Sequence, residues 1–177
     1  DLTIRDLMTH VAGLGSAYPL RVSPPPPRRG KGEPLATWVP KIAAMPLDFQ
    51  PGTHWSYSGV IGPDVLARIV EIQSGQTFED FLDSRIFKPL GMNDTYFHLP
   101  VDGAWQRLPP EATAAGTGGE AEISGSMGLV STAHDFLLLQ QMLLNKGELN
   151  GRRLLGTRSV ELMATNHVGD LYRGEGA

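Results

Sequence analysis

The chain contains no cysteine, and this absence excludes several kinds of chemistry. With zero cysteines in 177 residues, disulfide bonds, thiolate metal sites and a thiol nucleophile are all excluded. The chain also lacks any apolar run that reaches the ~20 residues a helix needs to span a bilayer. Neither absence distinguishes cytoplasm from periplasm, so the sequence leaves the compartment of this soluble protein open.

A large excess of charge is lacking as well. Lys+Arg number 15 and Asp+Glu number 19, which gives a net charge of -4. This balance is ordinary for a soluble protein and argues against a nucleic-acid partner. The one basic cluster, formed by Arg28, Arg29 and Lys31, follows four prolines and is predicted to be a solvated loop.

The histidines lack the spacing of a metal site. There are five of them, and none forms a His-x-x-x-His pair. His134 and Asp135 are adjacent, so a helix would place them on different faces. We therefore predict no metal site, and we expect His134 to lie in the first turn of a helix.

Helical patterns dominate what is present. Thr3-x-x-Asp6, Thr77-x-x-Asp80 and Thr132-x-x-Asp135 are typical of the capped N-terminus of a helix. A fourth helix is predicted from near Gly62 to a C-terminal stop at Gly75. Strand patterns are scarce, so the fold class is predicted to be mainly α.

Weaker signals complete the predicted elements. Thr37 is expected to cap a helix with Pro40 in its first turn, and Thr157 to cap the last helix. Asn150-Gly151 is typical of a hairpin turn. Two loops, near residues 15–34 and 100–126, are predicted to be long and mobile.

The strongest functional signal lies in residues 51–59, PGTHWSYSG. There, Tyr57 and Ser58 follow a Pro-Gly turn and precede an apolar-periodic segment. A tyrosine fixed at such a loop-to-helix junction can point its phenol into a cleft instead of a core. The alternative is an aromatic side chain whose hydroxyl is satisfied locally.

Five further segments, in order along the chain, extend this signal into a family resemblance. Together with the tyrosine segment they resemble the serine β-lactamase, penicillin-binding protein and esterase superfamily, particularly its class C β-lactamase and esterase branch. The segments are LTIRDLMTHVAGL (2–14), PLDFQPG (46–52), IFKPLGMNDT (86–95), GLVSTAHDF (128–136) and ELM to His167 (161–167).

The resemblance implies the fold as well as its gaps. In that superfamily the sheet comes from the two ends of the chain and the middle forms a helical lobe. We therefore expect residues 1–177 to be a single helical lobe that lacks most of the sheet. None of the ten serines has a lysine three positions later, so the Ser-x-x-Lys nucleophile box is missing, and so is the third family box. The chain is interpreted as the middle of a larger enzyme and is expected to be inactive alone.

The resemblance also assigns candidate site residues. Tyr57 matches the tyrosine that exchanges protons with the serine nucleophile. Gly59 stands where penicillin-recognising relatives carry asparagine, which moves the resemblance toward the esterases. Ser126 lies in a glycine-rich loop that borders the acyl pocket in the family, so Ser126 and Gly59 are candidate substrate-binding residues. Residues 124–128 do not form a nucleophile elbow, because Ser124 occupies the place of its first glycine.

Three functions follow as hypotheses. In the first, the completed enzyme hydrolyses a small-molecule ester or lactam through an acyl-serine intermediate, with no metal and no organic cofactor. In the second, the chain is a non-catalytic binding module whose bare apolar face pairs with its own copy, as a homo-oligomer, or with a complementing chain. In the third, it is a metal-dependent hydrolase with a recruited site.

Overall fold

A computed structural model describes residues 1–15, 24–98 and 123–173. The predicted mainly α class is confirmed, since the strands of this part of the chain are only two residues long. The elements are α1 Ile4–Met8, α2 Leu35–Ala43, α3 Ile61–Ser74, α4 Phe78–Leu82, a π-helical turn Asp83–Phe87, α5 Lys88–Leu90, α6 Ala133–Leu144, β1 Glu148–Leu149, β2 Arg152–Arg153, α7 Thr157–Met163 and a 3-10 turn Leu171–Arg173.

The chain divides into two compact units. The first comprises Asp1–Gln73, Glu122–Met127 and Asn166–Ala177, and the second Ser74–Ala121 and Gly128–Thr165. The single lobe expected from the sequence therefore stays a prediction. Two loops, near 15–34 and 100–126, were predicted to be mobile. Residues 16–23 of the first and 100–122 of the second lie outside the described residues.

In the first unit, α1 begins with the predicted capping box. The Asp6 amide donates to Thr3 Oγ1 at 3.2 Å, and the Thr3 amide donates to Asp6 Oδ2 at 2.8 Å. These two bonds satisfy backbone donors that the first turn would leave unpaired. Leu7 is the buried residue of this short helix.

The prediction for α2 was wrong by three residues at its start. The N-cap is Pro34, so Thr37 lies inside the helix and its hydroxyl donates to the Pro34 carbonyl oxygen at 3.0 Å. Pro34 has φ -64 and ψ 151, the extended conformation of an N-cap. Pro40 consequently lies well inside the helix instead of in its first turn, and it cannot donate to the carbonyl four residues earlier.

After α1 the chain pairs with the segment that leads to α3. Backbone amides of Asp48 and Gly52 donate to the carbonyl oxygens of Gly13 and Val11 at 2.7 and 2.8 Å. Gly13 has φ +68, and a Cβ there would lie 2.3 Å from the Phe49 carbonyl oxygen. The core of this unit contains Leu7, Val11, Ala12, Leu14, Leu35, Trp38, Ile42, Ile61 and Ala67.

Helix α3 confirms the predicted post-tyrosine helix. It begins at Ile61, beside the expected Gly62, and the chain turns away at Gly75 with φ +69. Its buried residues are Ile61, Gly62, Asp64 and Ala67. Asp64 is therefore a carboxylate on a face that is otherwise apolar or small.

The second unit is built from the later helices and a hairpin. Thr77 and Thr132 cap α4 and α6 as predicted, each accepting from the amide three residues on. Asn150 and Gly151 have φ 49 and 74 and form the predicted hairpin turn between β1 and β2. The core cluster contains Phe87, Leu90, Met92, Met142 and Leu149.

The start of α7 differs from the prediction by one residue. Gly156, with φ -68 and ψ 145, is the N-cap, and Thr157 is the first helical residue. Gly156 makes no side-chain capping bond because it has no side chain. The Thr157 pattern thus located the helix but misplaced its cap.

Candidate active site

Tyr57 lies between two buried serines in the segment that precedes α3. Its side chain is 58% exposed, whereas Ser56 and Ser58 are 7% and 4% exposed. The two serines face the interior, so the intervening phenol faces outward. A proton-transfer group must be reachable by its partner, and Tyr57 meets that condition.

Ser58 has a structural task that explains its burial. Its Oγ accepts a hydrogen bond from the Gly62 amide at 3.0 Å. Gly62 is the second residue of α3, so this bond satisfies an N-terminal amide of the helix. The helix start and the direction of the neighbouring Tyr57 are thereby fixed by the same residue.

Gly59 provides space for the tyrosine ring. A Cβ at this position would lie 2.8 Å from Tyr57 Cε1, closer than real Cβ atoms approach a ring. The absence of a side chain therefore lets the ring occupy its observed position. Gly59 cannot offer a side-chain amide to a substrate, and its substrate-binding role stays a prediction.

Ser126 is the last member of a chain of hydroxyl groups that ends on Asp64. Ser124 Oγ donates to Asp64 Oδ1 at 2.5 Å, because a carboxylate oxygen can only accept. Ser124 Oγ lies 3.0 Å from Ser126 Oγ, and with its own proton committed it accepts from Ser126. The half-buried Ser126 hydroxyl therefore presents only acceptor capacity, which suits an N–H group of a ligand.

Arg29 corrects one prediction made from the sequence. Its side chain is only 10% exposed and Nη1 lies 3.8 Å from Asp64 Oδ2, so it does not belong to a solvated loop. Nε donates to the Glu33 carbonyl oxygen at 2.8 Å and Nη2 to the Ile123 carbonyl oxygen at 3.0 Å. Arg28 and Lys31, by contrast, are exposed as expected.

Asp64 also binds the backbone of the loop that carries Ser126. Its Oδ1 also accepts from the Gly125 amide at 2.9 Å, and a Cβ at Gly125 would lie 2.1 Å from the Pro63 carbonyl oxygen. This close approach brings the 123–127 segment onto the first turn of α3. The sequence prediction missed this contact, because nothing in the sequence marks Asp64 as a buried residue.

His10 is a further residue that the sequence prediction missed. Its ring centroid lies 4.8 Å from that of Tyr57 and 6.1 Å from that of Trp55. Burial lowers the pKa of His10 below its ordinary value of 6.5. The other histidines of the described chain lie elsewhere, and His134 is exposed in the first turn of α6 as predicted.

Within residues 1–15, 24–98 and 123–173, no group of three or more His, Asp or Glu side chains could hold a metal ion. In the same part of the chain, no helix has the length and apolar character required to cross a membrane.

Comparison with known proteins identifies the family. The whole chain, residues 1–177, matches the profile of the Beta-lactamase family. It is 34% identical over 190 residues to an uncharacterized protein of Mycobacterium tuberculosis, a match that covers 96% of this chain and 45% of the relative. It is 35% identical over 148 residues to lovastatin esterase of Penicillium rubens, covering 74% of this chain and 35% of the esterase.

Both relatives are much longer than this chain, which spans less than half of their length. A solved structure shares the fold. EstCE1, described as a hydrolase with promiscuous acyltransferase activity, superposes with a TM-score of 0.70 at 23% identity, covering 96% of this chain and 51% of its own. With the match over its full length, these likenesses show that the chain belongs to the Beta-lactamase family.

Proposed function

We propose that the chain is the helical part of a serine hydrolase in which Tyr57 transfers protons for a serine nucleophile located outside residues 1–177. The completed enzyme hydrolyses carboxylic esters or β-lactams through an acyl-serine intermediate. The observation that carries the proposal is the exposure of Tyr57, 58%, between two buried serines in the family's tyrosine segment.

The chemistry divides into acylation and deacylation, and in each of them Tyr57 first accepts and then donates a proton. As the serine oxygen attacks the carbonyl carbon, its proton passes to the Tyr57 oxygen and then to the leaving group, and the acyl-serine remains. Water then attacks the acyl carbon, gives its proton to Tyr57, and the serine oxygen recovers that proton as the acid departs.

A tyrosine needs help to act as this base. An unperturbed phenol has a pKa of ~10, and a nearby positive charge favours its ionised form. Three of the four lysines lie beside carboxylates of their own: Lys41 beside Glu33, Lys88 beside Asp83 and Lys146 beside Glu161. In the proposal the positive charge comes from the lysine of the missing Ser-x-x-Lys box. We therefore expect the isolated chain to turn over neither a p-nitrophenyl ester nor nitrocefin, and appreciable turnover would contradict the proposal.

A chimera tests the proposal directly. This chain would replace the aligned segment of the Mycobacterium tuberculosis relative, which supplies the remaining part of the enzyme. We expect ester hydrolysis, and we expect Tyr57→Phe to lower kcat by about 10²–10⁴-fold, the usual contribution of a positioned acid–base group.

The matched control is Tyr172→Phe. Tyr172 is also 58% exposed and contacts the Trp55 ring, so the variant removes a phenol oxygen of equal exposure near the same segment. Far-ultraviolet circular dichroism and the thermal midpoint report whether each chimera has folded. A folded Tyr57→Phe chimera with unchanged kcat would contradict the proposed role of Tyr57.

The proposal includes a preference of the completed enzyme for esters over β-lactams. Gly59 lacks the amide that binds a β-lactam's own amide in penicillin-recognising relatives, and one similar protein is named an esterase. We expect the chimera to favour a p-nitrophenyl ester over nitrocefin in kcat/KM. The opposite order would contradict the assignment of substrate class.

A second candidate, self-association, is supported by exposed apolar residues on α6. Phe136, Leu137 and Leu144 are 55%, 64% and 75% exposed. Leu137 and Leu144 are seven residues apart and share one helix face. If the chain pairs with its own copy there, sedimentation will show a concentration-dependent dimer that Leu144→Glu abolishes. A monomer at every concentration would exclude this candidate.

A further inference from the structure

His10 has an unusual backbone conformation. It follows α1 with φ 60, in the left-handed region that non-glycine residues seldom occupy. Its carbonyl oxygen accepts from the Ser56 amide at 2.9 Å. This turn brings the imidazole back over the segment that carries Tyr57.

The ring of His10 makes a second bond to the same segment. The Ser58 amide donates to His10 Nδ1 at 3.3 Å. Because a backbone amide can only donate, Nδ1 carries no proton in this arrangement, and the neutral ring has its proton on Nε2. His10 thus binds the backbone amides on both sides of Tyr57, through its carbonyl oxygen and through its ring.

Burial lowers the pKa of His10 and thereby favours its neutral ring. The titratable groups of the neighbouring segments are Arg5, Asp6, Asp48, His54 and Tyr57. Arg5 and Asp6 lie on α1, where Asp6 is bonded to Thr3 in the capping box. Asp48 lies in the segment paired with residues 11–13, His54 contacts Thr53, and Tyr57 contacts the His10 ring. Of these, Tyr57 has the direct ring contact.

We infer that His10 is the positioning residue of Tyr57: its ring packs against the phenol ring while its carbonyl oxygen and Nδ1 fix the flanking amides of Ser56 and Ser58. The inference rests on the proposed role of Tyr57 for its catalytic meaning. The geometry predicts that the neutral Nε2–H tautomer of His10 is required. Protonation of Nδ1 would turn the acceptor into a donor and release the Ser58 amide.

Amide hydrogen exchange on the full 177-residue chain tests this inference without any turnover. We expect His10→Gly, which tolerates the left-handed backbone, to speed exchange of the Ser58 amide by about fivefold, the factor expected for one lost hydrogen bond. The Ser56 amide, bonded to the backbone of residue 10, is the internal reference and should keep its rate. Under the same inference His10→Asn should restore slow Ser58 exchange, because its Oδ1 can replace Nδ1 and asparagine also tolerates positive φ.

NMR of the His10 ring distinguishes a positioning role from a purely structural one, because it reports the tautomer and the contact with the Tyr57 ring. At neutral pH we expect nitrogen-15 spectra to show His10 as the Nε2–H tautomer, with cross-relaxation between His10 and Tyr57 ring protons. We expect His54→Asn to leave Ser58 exchange and the Tyr57 ring signals unchanged. A protonated Nδ1 at neutral pH, or equal Ser58 exchange in wild type and His10→Gly, would overturn the inference.

The two proposals can fail separately. If Tyr57→Phe leaves the chimera active, the proposed function fails while the exchange and tautomer results still decide the role of His10. If both proposals hold, His10→Gly in the chimera should lower kcat with KM little changed, and His10→Asn should recover part of the loss. An unchanged kcat in His10→Gly would overturn the positioning role.

Discussion

The two compact units each bury an aspartate, but the two carboxylates have different partners. Asp64 in the first unit is 2% exposed and Asp135 in the second is 1% exposed. Oδ2 of Asp135 accepts from the Asp94 amide and from Thr95 Oγ1, both at 2.8 Å. Each carboxylate therefore receives one backbone amide and one hydroxyl group.

The difference is the counter-charge. Asp64 faces the Arg29 guanidinium, whereas the described residues give Asp135 no ion-pair partner. Both donors of Asp135 converge on one oxygen, while Asp64 divides its contacts between Oδ1 and Oδ2. A buried charge with a buried partner resists neutralisation, but a carboxylate that acts only as an acceptor can be replaced by an amide.

The largest effect is expected for Asp64→Asn. The change leaves Arg29 uncompensated and sets an amide near it, so we expect the free energy of unfolding to fall by about 3 kcal/mol. Urea denaturation of the purified chain measures the loss. Asp83→Asn is the control, because Asp83 is 41% exposed beside Lys88 and should lose less than about 1 kcal/mol. Equal losses in the two variants would refute the assigned ion pair.

A double-mutant cycle sharpens this prediction. Arg29→Met should destabilise the wild-type chain more than it destabilises Asp64→Asn, because in the second background the opposing charge is already gone. We expect a coupling of about 1–2 kcal/mol from urea denaturation of the four proteins. Additive losses would mean that Arg29 acts only through the carbonyl oxygens of Glu33 and Ile123.

Asp135→Asn is expected to have a smaller effect than Asp64→Asn. The amide oxygen can occupy the position of Oδ2 and accept from both the Asp94 amide and Thr95 Oγ1, so we expect a loss of about 1 kcal/mol. Asp135→Ala should lose more, since both donors are then unsatisfied. If Asp135→Asn is as damaging as Asp64→Asn, the contrast between the units does not hold.

The smallest expected effect is a pH dependence of the first unit. The folded pKa of His10 is lowered below 6.5, so the folded state binds fewer protons there than the unfolded state. The contribution of His10 to stability is therefore present above 6.5 and is lost as the pH falls through the folded pKa. The urea midpoint of wild type should fall relative to that of His10→Asn as the pH drops below 6.5, because asparagine keeps an acceptor for the Ser58 amide and does not titrate. Parallel curves would contradict the prediction.

Short-range patterns predicted much of the fold. The Thr3, Thr77 and Thr132 caps were correct because each capping bond joins residues three apart, a distance at which sequence and geometry correspond directly. The prediction that Thr37 is an N-cap was wrong, because a threonine can also lie inside a helix with its hydroxyl bonded to an earlier carbonyl oxygen. Here Pro34, in an extended conformation, is the N-cap instead.

The candidate site was predicted only in part. The tyrosine segment singled out Tyr57, and the structure finds it exposed. The contacts of Asp64 with Arg29 and of His10 with Ser58 join residues far apart along the chain, and no periodicity encodes them. The aspartate at position 64 was evident in the sequence, but neither its burial nor its partner was.

The space beside Gly59 limits which side chains this position can accept while the Tyr57 ring keeps its observed place. An asparagine introduced there would collide with the Tyr57 ring, because even its Cβ would lie 2.8 Å from Cε1. An asparagine at this position is therefore compatible only with a Tyr57 ring that has moved. Any side chain introduced at Gly59 would thus also change where the phenol lies, which couples the two positions.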